Sequence, residues 1–204
     1  MYTLFFSTGS CSRASHIALE ESGLPYTAKR INFAENQQRS DDYLKINPKG
    51  RVPVLVTPDG ILTESPAILT YIAQSAPEAK LAPTDPFGLA KMQSFNAFVS
   101  STVHVAHAHG RRGTRWVTEQ SSLDDMKAKM PSVMAECFTL IENDMLKGPW
   151  VLGDAYTVAD PYLYTMSCWL AVDDVDIAKF PKVHDHFKRM QERPAVAKAL
   201  AAGA

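Results

Sequence analysis

The sequence predicts an α/β domain followed by an all-helical one, on three observations. Short extended runs alternate with helical stretches over the first eighty residues; prolines and a glycine break the pattern at "LAPTDPFG" (81–88); and beyond it the strand patterns stop and apolar residues recur at helical spacing. The expected division is residues 1–80, a linker over 81–86 and a helical domain over 87–204.

Each element has a local reason. "YTLFF" (2–6) is a buried strand, and Ser12 to Ser22 carries Ala14, Ile17, Ala18 and Leu19 on a helical face. "TAKRIN" (27–32) alternates like a strand, and "VPVLVT" (52–57) is a β-rich run. Pro-Asp-Gly within "TPDGIL" (57–62) is a tight-turn signal that folds the run back onto the short "ILT" as a hairpin. A helix starts in "SPAILTYIAQSAP", with Ser65 expected as N-cap and Pro66 as first helical residue. Met126, Met130, Val133, Met134, Cys137, Leu140, Ile141 and Met145 mark the packing face of a long helix, expected to bend at Pro131. Thr157-x-x-Asp160 has capping-box spacing ahead of an apolar helix expected to run through Leu170, a folding rather than a chemical role.

Composition excludes several functions. The formal net charge is -1 and the charges balance within each half, so the chain is not built for nucleic acid. Two local clusters, Arg111/Arg112/Arg115 and Asp173/Asp174/Asp176, read as solvated faces. Three scattered cysteines form neither a disulfide framework nor a C-x-x-C pair, which fits a reducing compartment. "MYTLFFSTG" lacks the basic start of a signal peptide, and "PYLYTMSCWLAV" is too short to span a bilayer, so a cytoplasmic protein without membrane partners is expected.

Three places carry candidate chemistry. Cys11 precedes a helix whose free N–H groups and dipole favour a thiolate; the same end suits the thiolate of a bound ligand, with Ser10 or Ser12 donating to it, and a small buried core residue is the plain alternative. In "NPKGRVPVL", a cis Val52-Pro53 would turn the backbone outward to pair with a peptide-like ligand, whereas a trans proline is equally legal at a strand start. In "LTESPAIL", Ser65 at a helix N-terminus suits a ligand carboxylate and Glu64 a ligand ammonium, so that one amino-acid head group satisfies both. For Ser65 the alternative is an ordinary cap.

Taken together, "GSCSRASHIALEESGLPY", "DDYLKINPKGRVPVL", "LTESPAILTYIA" and "YTVADPYL" resemble the cytosolic glutathione S-transferase family over essentially the whole chain, most closely its bacterial beta class. The resemblance implies an α/β thioredoxin-like N-terminal domain plus an all-α C-terminal domain, and it favours the cis form of Val52-Pro53. It implies glutathione as co-substrate, with no cofactor or metal. The γ-glutamyl end would meet Glu64 and Ser65, the cysteinyl backbone Val52 and Pro53, and the sulfur Cys11, Ser10 or Ser12. His104 resembles a beta-class histidine that faces the sulfur. Phe6, His107 and Trp116 are expected around the electrophile; Arg111, Arg112 and Arg115 either form a solvated cluster or meet a carboxylate of glutathione or of an acidic second substrate; and a homodimer is implied.

The chain also departs from the family. Where beta-class enzymes tend to carry a lysine between the second strand and helix, it has Ala34 and Glu35, so that Arg39 is the expected substitute. Phe5 and Phe6 occupy the strand in which mammalian-type members place a catalytic tyrosine. The expected activity is conjugation of the glutathione thiolate to small, largely apolar electrophiles in detoxification; the alternatives are monothiol disulfide exchange through Cys11 and non-catalytic ligand or partner binding.

Overall fold

The computed structural model describes residues 1–204. Strands β1 (Tyr2–Phe6), β2 (Tyr26–Arg30), β3 (Val54–Thr57) and β4 (Gly60–Thr63) form one sheet in the order β2-β1-β3-β4. β1 pairs parallel with β2 and antiparallel with β3, and β4 closes the hairpin. A parallel pair needs a crossover, here helix α1 (Ser12–Ser22), while the hairpin turn is tied by the Thr57 hydroxyl donating to the Gly60 carbonyl at 2.9 Å.

Strand alternation sorts the sheet's two faces. Leu4, Phe6 and Leu55 belong to the core that holds α1 and α3 (Ser65–Ser75). Phe5, Val52 and Val54 pack instead with Tyr43 of the short helix α2 (Asp41–Ile46). β3 starts two residues later than the β-rich run because the cis Val52-Pro53 bond turns the chain there. Glu64, not Ser65, is the N-cap of α3 and makes no side-chain capping bond. Ser65 is therefore the first helical residue and Pro66 the second.

The helical part comprises α4 (Pro86–Phe98), α5 (His104–Arg112), α6 (Gln120–Leu140), α7 (Ala159–Ser167), α8 (Pro181–Gln191) and α9 (Pro194–Ala201). A π turn over Val99–Val103 joins α4 to α5 without a break. α6 continues through Pro131 and buries Met130, Met134, Cys137 and Phe138, whereas Leu140 is exposed. Every residue of α7 is buried, which makes it the central helix. It stops at Ser167 rather than Leu170, and the chain tightens into turns that carry Trp169 and Asp173 toward α5. No helix is long and apolar enough to cross a membrane.

The expected folding role of Thr157 and Asp160 is visible in detail. The buried Asp160 carboxylate accepts from the Thr157 N–H at 2.7 Å and the Val151 N–H at 2.8 Å, and lies 3.1 Å from His186 Nε2. The Thr157 hydroxyl accepts from the Ala159 N–H at 3.3 Å. One carboxylate thus fixes the entry to α7, the preceding loop and α8.

Candidate active site

A cleft between the sheet and the helices brings Cys11, Val52, Pro53, Glu64, Ser65 and His104 onto one lining, although 93 positions separate the first from the last. Cys11 is the N-cap of α1, and its Sγ lies 3.5 Å from the Val52 carbonyl oxygen. The lowered thiol pKa expected from the helix start is not found. Burial raises it, outweighing the opposing pull of the Ser65 hydroxyl and the Arg112 charge.

The neighbouring serines turn away from the cleft. Ser10 and Ser12 hydroxyls lie 2.6 Å apart; Ser10 donates to the Ser7 carbonyl at 2.8 Å, and Ser12 accepts from the Ser7 N–H at 3.1 Å. They tie the β1–α1 loop together from beneath, so neither stands as a sulfur partner. Val52, by contrast, has an N–H without a partner in the protein, beside the cis bond.

Glu64 occupies an unusual backbone position, with φ 71 and ψ 124. Its carboxylate is held by Lys49 Nζ, which also donates to Thr63 Oγ1 at 2.8 Å. Ser65 is buried, and its hydroxyl stands near Cys11 and Tyr162 without a close hydrogen bond to either. Together with the first free N–H groups of α3, it leaves an unfilled set of donors facing the cleft.

His104 opens α5 and stands edge-on to Trp169, with ring centroids 5.0 Å apart. Its pKa is pushed down to about 4, first by burial and then by Arg112, so the imidazole is neutral near pH 7. His107 does not line the cleft. It stacks on Trp169 at 4.1 Å with Nδ1 2.7 Å from Asp173 Oδ2, and the Trp169 indole donates to the Gly9 carbonyl at 2.9 Å. His107 therefore supports the wall rather than the electrophile. Asp173, read as solvated, is fully buried and also holds Arg111 Nε at 3.3 Å.

Two other expected residues lie elsewhere. Phe6 is 3% exposed and packs against His16 inside the core. Arg39 lies over Gly50, whose φ of +61 and lack of a side chain leave room for the guanidinium, and it does not reach the cleft lining. Trp116 does line the cleft, edge-on to His109 at 4.5 Å.

Sequence reasoning missed Tyr162, Arg51 and Lys49. Tyr162 of α7 lines the cleft; its phenol pKa is raised by burial and then by Cys11 beside it. In the sequence it falls within the "YTVADPYL" folding pattern, where nothing separates a buried tyrosine that meets the cleft from one that does not. Arg51 precedes Val52 directly, and that adjacency was the available signal. No group of three or more His, Cys, Asp or Glu side chains gathers anywhere in the chain in a way that would hold a metal ion.

A four-stranded sheet domain carrying a cis proline, a helical domain, and a cleft between them with an unfilled helix N-terminus define a thioredoxin-like, two-domain class. Family models described as glutathione S-transferase, N-terminal domain and C-terminal domain match residues 2–74 and 115–203. Glutathione S-transferase GstA of Escherichia coli O157:H7 is 32% identical, covering 98% of this chain and 97% of the relative. A glutathione transferase homologue from Sulfitobacter, solved with bound glutathione, is 48% identical with a TM-score of 0.97, covering 100% of this chain and 98% of its own. The bacterial beta class enzyme of Sphingomonas chungbukensis is 32% identical with a TM-score of 0.87, covering 99% and 98%. The chain belongs to the glutathione S-transferase family of enzymes.

Proposed function

We propose that the chain binds glutathione in extended form along the cleft and transfers its thiolate to small electrophiles with a largely apolar body. The observation that carries this reading is the pairing of unused donors: the Ser65 hydroxyl with the α3 N-terminus, and the Val52 N–H beside the cis bond. They match the γ-glutamyl carboxylate and the cysteinyl carbonyl of one tripeptide. Glu64 takes the ammonium, and the ligand sulfur then falls beside Cys11, near His104 and Tyr162.

In this reading the protein supplies position and charge rather than a covalent intermediate. The thiolate attacks the electrophilic carbon while the neutral His104 and the Cys11 thiol serve as donors around it. The raised Cys11 pKa supports conjugation over thiol–disulfide exchange, because the neutral thiol is the poorer nucleophile. The reading includes a homodimer, to be checked by sedimentation. Calorimetry with glutathione, joined to a spectrophotometric assay of chloride displacement from 1-chloro-2,4-dinitrobenzene, tests the function. Absence of glutathione binding would overturn it.

A further inference from the structure

The cleft has a second charged feature that the tripeptide leaves over. Arg51 lines it from the sheet side and Arg115 from the helical side, together with Trp116, Val105 and Ala108. No carboxylate lies within ion-pairing distance of either arginine, or of Arg112. Arg111, the fourth cation of this neighbourhood, is already matched by Asp173. Glu64 is the one acidic residue lining the cleft, and Lys49 holds it.

Glutathione brings two carboxylates. In the binding mode proposed above, the γ-glutamyl carboxylate sits on Ser65 and the α3 N-terminus. The glycine carboxylate lies past Val52, where Arg51 is the adjacent cation. The helical wall then keeps Arg115 on the lining, beside an apolar surface of Val105, Ala108 and Trp116, with Arg112 behind that lining one helical turn after Ala108; neither arginine has an anionic partner. Arg112 sits close enough to bias both Cys11 and His104 toward their less protonated forms. His104, neutral near pH 7, adds no charge of its own and needs no counter-ion.

We infer that the electrophile this cleft selects is amphipathic: an apolar, aromatic-sized body against Trp116, Val105 and Ala108, carrying a carboxylate that Arg115 and Arg112 receive. A guanidinium binds a carboxylate through two parallel N–H donors, which makes arginine better suited to this than an ammonium. The inference rests on the glutathione-binding reading of the same cleft. For a chloronitrobenzoate the chemistry balances without a further reactant: the glutathione thiolate forms the new S–C bond, and chloride leaves with the C–Cl bonding pair.

Binding of two stable products separates the possibilities without depending on turnover. The conjugates of glutathione with 4-chloro-3,5-dinitrobenzoate and with its methyl ester differ only in the charge at issue. Calorimetry on the whole protein is expected to show the acid conjugate binding roughly tenfold tighter than the ester, as one charge-assisted contact at a part-exposed site provides. Arg115→Gln and Arg112→Gln should each reduce that preference, and the double variant should abolish it, with the affinity for glutathione itself unchanged. Equal binding of acid and ester by the wild type would overturn the inference. So would variants that weaken glutathione as much as the acid conjugate, since the arginines would then serve the tripeptide. Failure of glutathione itself to bind is a separate outcome and removes the reading underneath.

Discussion

Ser65→Ala isolates ligand binding from folding because of where the hydroxyl sits. Ser65 is the first residue of α3 and buried, and its hydroxyl, near Cys11 and Tyr162, makes no close hydrogen bond within the protein. Removing it breaks no close hydrogen bond, takes one weak polar neighbour from Cys11 and Tyr162, and opens a void no larger than one oxygen atom. The stability change is therefore expected to stay within about 0.5 kcal/mol. A ligand carboxylate loses one charge-assisted hydrogen bond, about 1.5–3 kcal/mol, which corresponds to a roughly 10- to 150-fold weaker Kd. Titration calorimetry with glutathione and urea unfolding on the same preparations supply the two numbers. An unchanged Kd, or a loss of stability as large as the loss of affinity, would refute the assignment of this hydroxyl to the ligand.

Other outcomes follow from the same geometry. With its pKa raised by burial, Cys11 should react with iodoacetamide at pH 7 more slowly than a free cysteine, the rate climbing with alkalinity beyond the usual thiol range; faster reaction at neutral pH would show an activated thiolate instead. His104 holds a folded-state pKa of about 4, below its unfolded value of about 6.5, so the folded form binds fewer protons between the two. Its contribution is complete above the unfolded value and is lost as pH falls toward the folded one; His16, also lowered by burial, acts with the same sign. Urea midpoints should drop from about pH 7 to about pH 5, and His104→Gln should shrink that drop; a protein that gains stability on acidification contradicts this. Asp160→Ala strips an acceptor from the Thr157 and Val151 N–H groups and from His186, at about 1–3 kcal/mol for each buried partner left unsatisfied, which denaturant unfolding measures directly. A loss below about 1 kcal/mol would mean that water or rearrangement replaces the carboxylate.

Local pattern carried much of the architecture into view. The alternation in "YTLFF", the Pro-Asp-Gly turn and the Thr157-x-x-Asp160 spacing each act over a few residues, so their structural meaning is readable from the chain. Cys11, Val52, Glu64 and Ser65 were recognisable because each sits at an element boundary, where backbone groups are left free, whereas His104, inside a continuous helical run, was legible through the family resemblance alone. What stayed hidden depends on depth and direction. Ser10, Ser12 and Cys11 are consecutive, yet only the cysteine faces the cleft, because the serine hydroxyls satisfy Ser7 underneath. Likewise His104 and His107 share a helix, but the Asp173 carboxylate claims the second. Burial decides the sign of the thiol's pKa shift, and the thiol lies beside Tyr162, on a helix 151 positions later.

The β1–α1 loop and the first turn of α1 are fastened by groups from the helical domain: Thr8 Oγ1 donates to the Gly203 carbonyl at 2.8 Å, Arg13 Nη2 to the Ala204 carbonyl at 3.2 Å, and the Trp169 indole to the Gly9 carbonyl. During synthesis the sheet domain emerges first, with the Ser7, Ser10 and Ser12 bonds inside the loop available but these three outer ties still missing. Two of those ties come from residues made almost two hundred positions later. A nascent chain with its sheet already formed would carry an unlatched loop, and catalytic competence would arrive in one late step, when the last helix closes over the first.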